Sequence, residues 1–173
     1  MMLKKNCLLF LLTLAVFVLS FLAICSRGDA QEVHKDAGYY NEKGMVYFNK
    51  GFYEGLPKGK KEEASQNFER AVIAFKEAIA INKNSVHAHR NLARVYYVQK
   101  RYLEAAEQYR KVTDLNPSDI DTYAITALAY TKAQRYAEAI EQLNIAKTFT
   151  ADKAVIQKLD VYINKIEQEK SPR

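Results

Sequence analysis

From Tyr40 onward, apolar and small side chains return at helical intervals, separated by short polar stretches. Ala71, Ala105 and Ala139 stand 34 residues apart, as do Phe75, Tyr109 and Leu143; Ala78, Val112 and Ala146; and Phe68, Tyr102 and Tyr136. Within each copy these sites fall at i, i+3, i+7 and i+10, one face of an α-helix. An aromatic opens the face, and the alanines mark where a neighbouring helix must come close. A second series lies upstream. Tyr40, His89 and Tyr123 lead it; Gly44, Ala93 and Ala127 follow four residues later, and Tyr47, Tyr96 and Tyr130 three after that. Each copy is therefore expected to form two antiparallel helices joined by a short turn. One hairpin cannot bury its own apolar face, so the copies must stack.

The wording repeats as well as the pattern. RYLEAAEQYRKVTDLNP begins at Arg101 and RYAEAIEQLNIAKTFTA at Arg135. The first copy departs from the others: Gly44 to Ala71 is 27 residues, against 12 for Ala93 to Ala105 and for Ala127 to Ala139. Fifteen residues are inserted near 54–65, around EGLPKGKKEEAS. Gly55, Pro57 and Gly59 read as helix breakers there and Lys58, Lys60 and Lys61 as solvated residues, which predicts a surface loop. A sharper reading makes it a contact loop for an acidic partner or headgroup. After Asp152, a candidate N-cap, Val155, Ile156, Leu159, Tyr162, Ile163 and Ile166 form one apolar stripe. A helix of that kind covers the end of a stack, or alternatively pairs two chains.

The second copy, with NLARVYYVQKRYLEAAEQYRKVTDLNP, resembles the tetratricopeptide repeat family in its period, its small-residue sites, its tyrosines and its Asn116-Pro117 stop. The family's usual tryptophan is replaced by Tyr40, His89 and Tyr123, and the third copy has Ala151 where the proline would be. The resemblance implies an all-α solenoid of three helix hairpins with a C-terminal capping helix. Its parts are 37–83 with the insertion, 86–119, 120–153, and a capping helix at 154–169. It also implies a concave groove, lined by the first helices, that holds a peptide of another protein. By helix face, the first unit would give Asn41, Met45, Phe48 and Asn49. The second would give His87, Arg90, Asn91, Arg94 and Tyr97, and the third Asp121, Ala124, Ile125, Leu128, Thr131 and Lys132. One subclass clamps a C-terminal carboxylate with Lys, Asn and Arg. Here the matching places hold Asn41, Met45, Asn91, Asp121 and Ile125, and only Asn91 agrees, so that clamp is not carried over.

The N-terminus reads as an address. Lys4 and Lys5 precede a run without charge from Asn6 to Ser26, the order of an export signal. Three fates stay open for residues 1–30: cleavage after Ala30, retention as a membrane anchor, or lipidation at Cys25 in the stretch Leu22-Ala23-Ile24-Cys25. Each places the remainder outside the cytoplasm, in the periplasm or cell envelope. Cys7 and Cys25 are the chain's two cysteines, so the repeat region has no thiol chemistry.

Charge and chemistry narrow the function classes. The formal net charge is +6. From Gln31 onward, without Lys4, Lys5, Arg27 and Asp29, 23 basic residues face 19 acidic ones, interspersed along the chain. That is a solvated helical surface and not a nucleic-acid footprint. His87 and His89 lie two apart, about 200° round a helix, and cannot share a metal. Glu104/Glu107 and Glu138/Glu141 fall on outer helix faces. No phosphate-cradling glycine loop or nucleophile elbow occurs. The expectation is a protein that is not an enzyme and uses no cofactor or metal: an adaptor binding a partner peptide in its groove. An envelope or pilus assembly factor, lipid-anchored in one version, and a self-associating scaffold are the alternatives.

Overall fold

The first helix of each hairpin starts on a polar side chain that accepts one of the free N–H groups of the opening turn. The computed structural model describes residues 35–170, which form α1 (Ala37–Asn49), continued by a π-helical turn (Lys50–Gly55), α2 (Lys61–Ile81), α3 (Val86–Val98), α4 (Tyr102–Leu115), α5 (Ile120–Lys132), α6 (Tyr136–Thr148) and α7 (Lys153–Lys170), with no strand among the described residues. Asp36 accepts from the Tyr39 amide at 2.8 Å, Ser85 from Ala88 at 3.3 Å, and Asp119 from Thr122 at 3.1 Å. Asp152 does the same for α7 through the Ala154 amide at 2.8 Å. Such caps satisfy amides that the helix itself leaves free. The N-terminal segment 1–30 and Cys25 lie outside the described residues.

Helices adjacent in sequence are adjacent in space: α1–α2, α3–α4 and α5–α6 form three hairpins, and α7 packs on α6. The core runs continuously from Phe48 to Ile166, with Leu159, Ile163 and Ile166 of α7 closing its end. The stack is an all-α solenoid.

One turn is used in all three hairpins. Gly59, Lys100 and Gln134 have φ of 69°, 61° and 60°. The next residue opens the second helix, its amide bonded to Gly55, Tyr96 and Tyr130 oxygens at 3.0, 2.8 and 2.8 Å. A left-handed conformation costs an L-residue about 1–2 kcal/mol, part of which glycine gives back through the freedom of its unfolded chain. Lys100→Gly is therefore expected to stabilise the protein by about 0.5–1 kcal/mol. A chemical denaturation midpoint that stays put would show that the turn carries no such strain.

The shared turn locates the inserted residues. Both α2 and α4 follow it, and both end on an asparagine, Asn82 or Asn116, whose amide bonds the carbonyl four residues earlier at 2.9 Å. Yet α2 has 21 residues and α4 has 14. The first arm differs similarly: Ala37 to Gly59 is 22 residues, Val86 to Lys100 is 14. The insertion is thus two helical turns on each helix, plus one residue absorbed by the π-helical turn.

The expected loop at 54–65 is corrected on this point, because only residues 56–60 lie outside helix. Gly51 and Gly55 are close-packing positions. A Cβ on Gly51 would lie 2.8 Å from the Phe68 ring and 3.0 Å from the Ala64 carbonyl, and one on Gly55 would lie 2.8 Å from Ala64 Cβ. Ala64 and Ala71, seven residues apart on α2, are both fully buried, and Ala64 meets Gly51 and Gly55 of the π-helical turn.

Candidate functional site

The residues expected to line the groove divide into those engaged within the protein and those left open. Asn91 donates to Asn41 at 3.0 Å, joining the first helices of hairpins 1 and 2. Arg90 donates to the Asp119 carboxylate at 2.6 Å, and that carboxylate also accepts from the Thr122 hydroxyl at 2.8 Å. Arg90 is therefore a tie between hairpins 2 and 3 and not a free cation. Arg94 is exposed, with its guanidinium 5.1 Å from the centre of the Phe48 ring.

Phe48 itself is 3% exposed, which corrects its placement as a groove residue. It packs between the Phe52 ring at 5.5 Å and the Phe68 ring at 6.0 Å. Met45 is half-buried against the core, and Tyr97, also half-buried, meets Tyr102 edge to face at 5.3 Å. Asn49, His87, Asp121 and Lys132 are exposed.

His89 is buried, with Nε2 3.0 Å from the Lys83 carbonyl and Nδ1 2.8 Å from the Gln108 side-chain oxygen. The carbonyl can only accept, so Nε2 carries a proton. His89 thus ties the start of α3 to α4 through Gln108 and to the preceding turn through Lys83, a packing position. Burial pushes the Tyr109 phenol up to about 12, against the opposing pull of Arg94 and Arg90, and keeps it neutral.

The third unit holds the better-formed concavity. Ala124, Ile125, Leu128 and Thr131 of α5 share a cavity of about 330 Å³ with Leu143 of α6 and with Tyr162, Lys165, Ile166 and Glu169 of α7. Its walls are mainly apolar, and Ile125 and Leu128 remain 41% and 47% exposed. Lys165 and Glu169 supply charge at the rim. The sequence pattern assigned α7 to capping or to pairing two chains, and not to a cavity wall. The missed signal is Tyr162, which is 39% exposed within a stripe that is otherwise buried at Leu159, Ile163 and Ile166.

A second cleft of about 430 Å³ lies between α4 and α6, where Glu107, Arg110, Arg135, Glu138 and Glu141 surround Tyr130. Arg135 donates to Glu138, and Arg101 to Glu104 at 2.9 Å. Hydrogen bonds from its own backbone amide and from Arg135 hold the Glu138 carboxyl below its ordinary value. Burial raises the Tyr130 phenol. Of the charged residues lining the cleft, Arg135 and Glu138 pair with each other, and no cluster of three metal-ligating side chains occurs among the described residues. Nor is any helix among them long and apolar enough to cross a membrane. The apolar cavity between α5 and α7 is the better receptor for a side chain.

Residues 56–120 match a family model described as tetratricopeptide repeat. No curated protein matches the sequence. Among solved structures, the yeast Sti1 TPR2B domain in complex with pHsp70 is similar at a TM-score of 0.55 and 22% identity, over 77% of this chain and 97% of that one. A MamA RS-1 double mutant is similar at 0.55 and 17%, over 83% and 82%. The first TPR of Spaghetti (RPAP3), bound to the HSP90 peptide SRMEEVD, is similar at 0.50 and 18%, over 75% and 94%.

Proposed function

We propose that the chain, whose residues 56–120 match the tetratricopeptide-repeat model and whose fold is similar to that of solved TPR domains, is a non-catalytic adaptor that holds a peptide of another protein along the inner face of its first helices. The observation that carries this reading is the apolar cavity between α5 and α7, with Ile125 and Leu128 left open to it. A partner's aliphatic or aromatic side chain enters there. Toward hairpin 2, Arg94 faces the same peptide with a cation that no carboxylate among the described residues pairs with.

Two of the similar structures are complexes, with pHsp70 and with an HSP90 peptide. That supports a peptide ligand of some kind for this chain. It does not extend to those ligands, since Asn41, Met45, Asp121 and Ile125 stand where a carboxylate clamp needs other residues. The basic start and long uncharged run of the N-terminus support export to the cell envelope, where the partner would be an envelope protein.

The test is Ile125→Asp/Leu128→Asp. Both sites are exposed, so stability should move by less than about 0.5 kcal/mol. Burying one apolar side chain is worth about 1.5–3 kcal/mol, so affinity for a captured partner should fall at least about tenfold. Unchanged affinity with unchanged melting would remove the cavity from the binding site.

A further inference from the structure

Hairpin 1 is taller than its neighbour. Glu69 of α2 is level with the turn of hairpin 2, since Gln99 donates to its carboxylate at 2.7 Å and Arg101 lies 4.0 Å from it. From Glu69, α2 runs back eight further residues to Lys61, about 12 Å at 1.5 Å per residue. On the other helix, Phe48 lies under Arg94 of hairpin 2, and the chain continues through Phe52 and Leu56 before it turns. This overhang is rigid, because Gly51 and Gly55 bring the two helices into direct contact with Ala64 and Phe68. A partner would find it already formed.

Its surface is not what folding alone asks for. Phe52, Tyr53 and Leu56 are 37%, 63% and 41% exposed, with Phe52 and Tyr53 edge to face at 5.0 Å. The turn reads Leu56-Pro57-Lys58-Gly59-Lys60-Lys61, three lysines without a carboxylate, and Glu54, Glu62 and Glu63 flank it. These lysines gather at the N-terminus of α2, the positive end of the helix, where a cation is unfavourable. In the other two turns the cation at that place is neutralised, Arg101 by Glu104 and Arg135 by Glu138. Lys60 likewise meets Glu63 at 3.0 Å. Lys58 and Lys61 have no ion-pair partner among the described residues.

We propose that the overhanging end of hairpin 1 is a second docking surface, separate from the inner groove, for an acidic segment of a partner protein. Lys58 and Lys61 meet its carboxylates, and Phe52 and Leu56 cover an apolar side chain between them. The order of residues favours a protein over a bilayer. Pro57, Lys58, Gly59 and Lys60 are outermost and the apolar residues lie along the flank, which suits a segment laid against the hairpin and not insertion into lipid.

The test uses the full-length protein and a fluorescent peptide that alternates glutamate with leucine and phenylalanine, with its lysine counterpart as control. Wild type should bind the acidic peptide alone, more weakly as salt is added. Lys58→Glu/Lys61→Glu should lose at least about tenfold in affinity. Phe52→Ser should lose at least about threefold at a temperature where its melting curve shows it folded, since Phe52 also stacks on Phe48. Ile125→Asp/Leu128→Asp should bind as wild type, so failure of the groove and failure of the overhang are told apart. Equal affinity in the lysine variant would overturn the proposal. So would lysine-dependent binding to phosphatidylcholine vesicles containing phosphatidylglycerol with no binding to the peptide, which would make the surface a membrane contact.

Discussion

Phe75→Ala lowers the unfolding free energy by about 3–5 kcal/mol, the range for removing a fully buried aromatic. Phe75 is fully buried on α2, and its ring is what permits only glycine opposite: a Cβ on Gly44 would lie 2.5–2.8 Å from three of its atoms. The hairpin cannot collapse into the vacated space, because α1 and α2 are already held together at Gly51 and Gly55, one level up. The converse variant separates packing from hydrophobicity. Gly44→Ala overpacks the same contact and costs about 1–3 kcal/mol, less the gain of about 1 kcal/mol that alanine brings to a helix. In a Phe75→Leu background that cost should fall by at least about half, since the ring edge is gone and neighbouring substitutions couple. Urea denaturation of the four proteins in this cycle measures it. Additive effects would mean that Gly44 and Phe75 do not share the contact assigned to them.

The same pair shows how far the sequence could be read. Phe75 was legible because a period of 34 residues ties it to Tyr109 and Leu143, and Gly44 because it precedes Tyr47 by three residues as Ala93 and Ala127 precede Tyr96 and Tyr130. The extra turns of hairpin 1 were not. Ala64 and Ala71 are seven residues apart, and a shift of seven leaves the apolar face of a helix nearly where it was. Alignment from the turn and alignment from the end of α2 therefore give two valid registers, and the structure uses both. Gly55, Pro57 and Gly59 looked alike as breakers, yet Gly59 alone of the three has positive φ, and Gly55 lies within helix against Ala64. A glycine for turning and a glycine for packing are identical until the neighbour is known.

The site was legible where it depends on helix face and illegible where it depends on long side chains. Ala124, Ile125, Leu128 and Thr131 fall together as their spacing demands. Arg90 satisfies the same spacing, but its reach lets it find Asp119, the N-cap of α5, 29 residues on. The α7 wall of the cavity was hidden for another reason. Its stripe serves the core and the cavity at once, and periodicity cannot divide one apolar face between two uses.

Asp119→Ala tests the remaining structural claim about the groove, that Arg90 belongs to the fold. The carboxylate does two jobs: it caps α5 through the Thr122 amide at 3.1 Å and holds Arg90 at 2.6 Å. Loss of an N-cap costs about 1 kcal/mol. The ion pair is partly screened, with side chains 36% and 22% exposed, so it adds about 0.5–1 kcal/mol. The expected total is about 2 kcal/mol. Asp119→Asn keeps an acceptor for the cap and removes the charge, so it should lose only about half as much. Arg90→Gln should lose about 0.5–1 kcal/mol in wild type and almost nothing once Asp119 is alanine. If Arg90→Gln costs nothing even with Asp119 in place, the arginine is free, and a partner's carboxylate can claim it together with Arg94. If the coupling is found, Arg94 is, among the described residues, the groove's one open cation in hairpin 2, and a peptide gains no second charge contact there without first breaking the tie between hairpins 2 and 3.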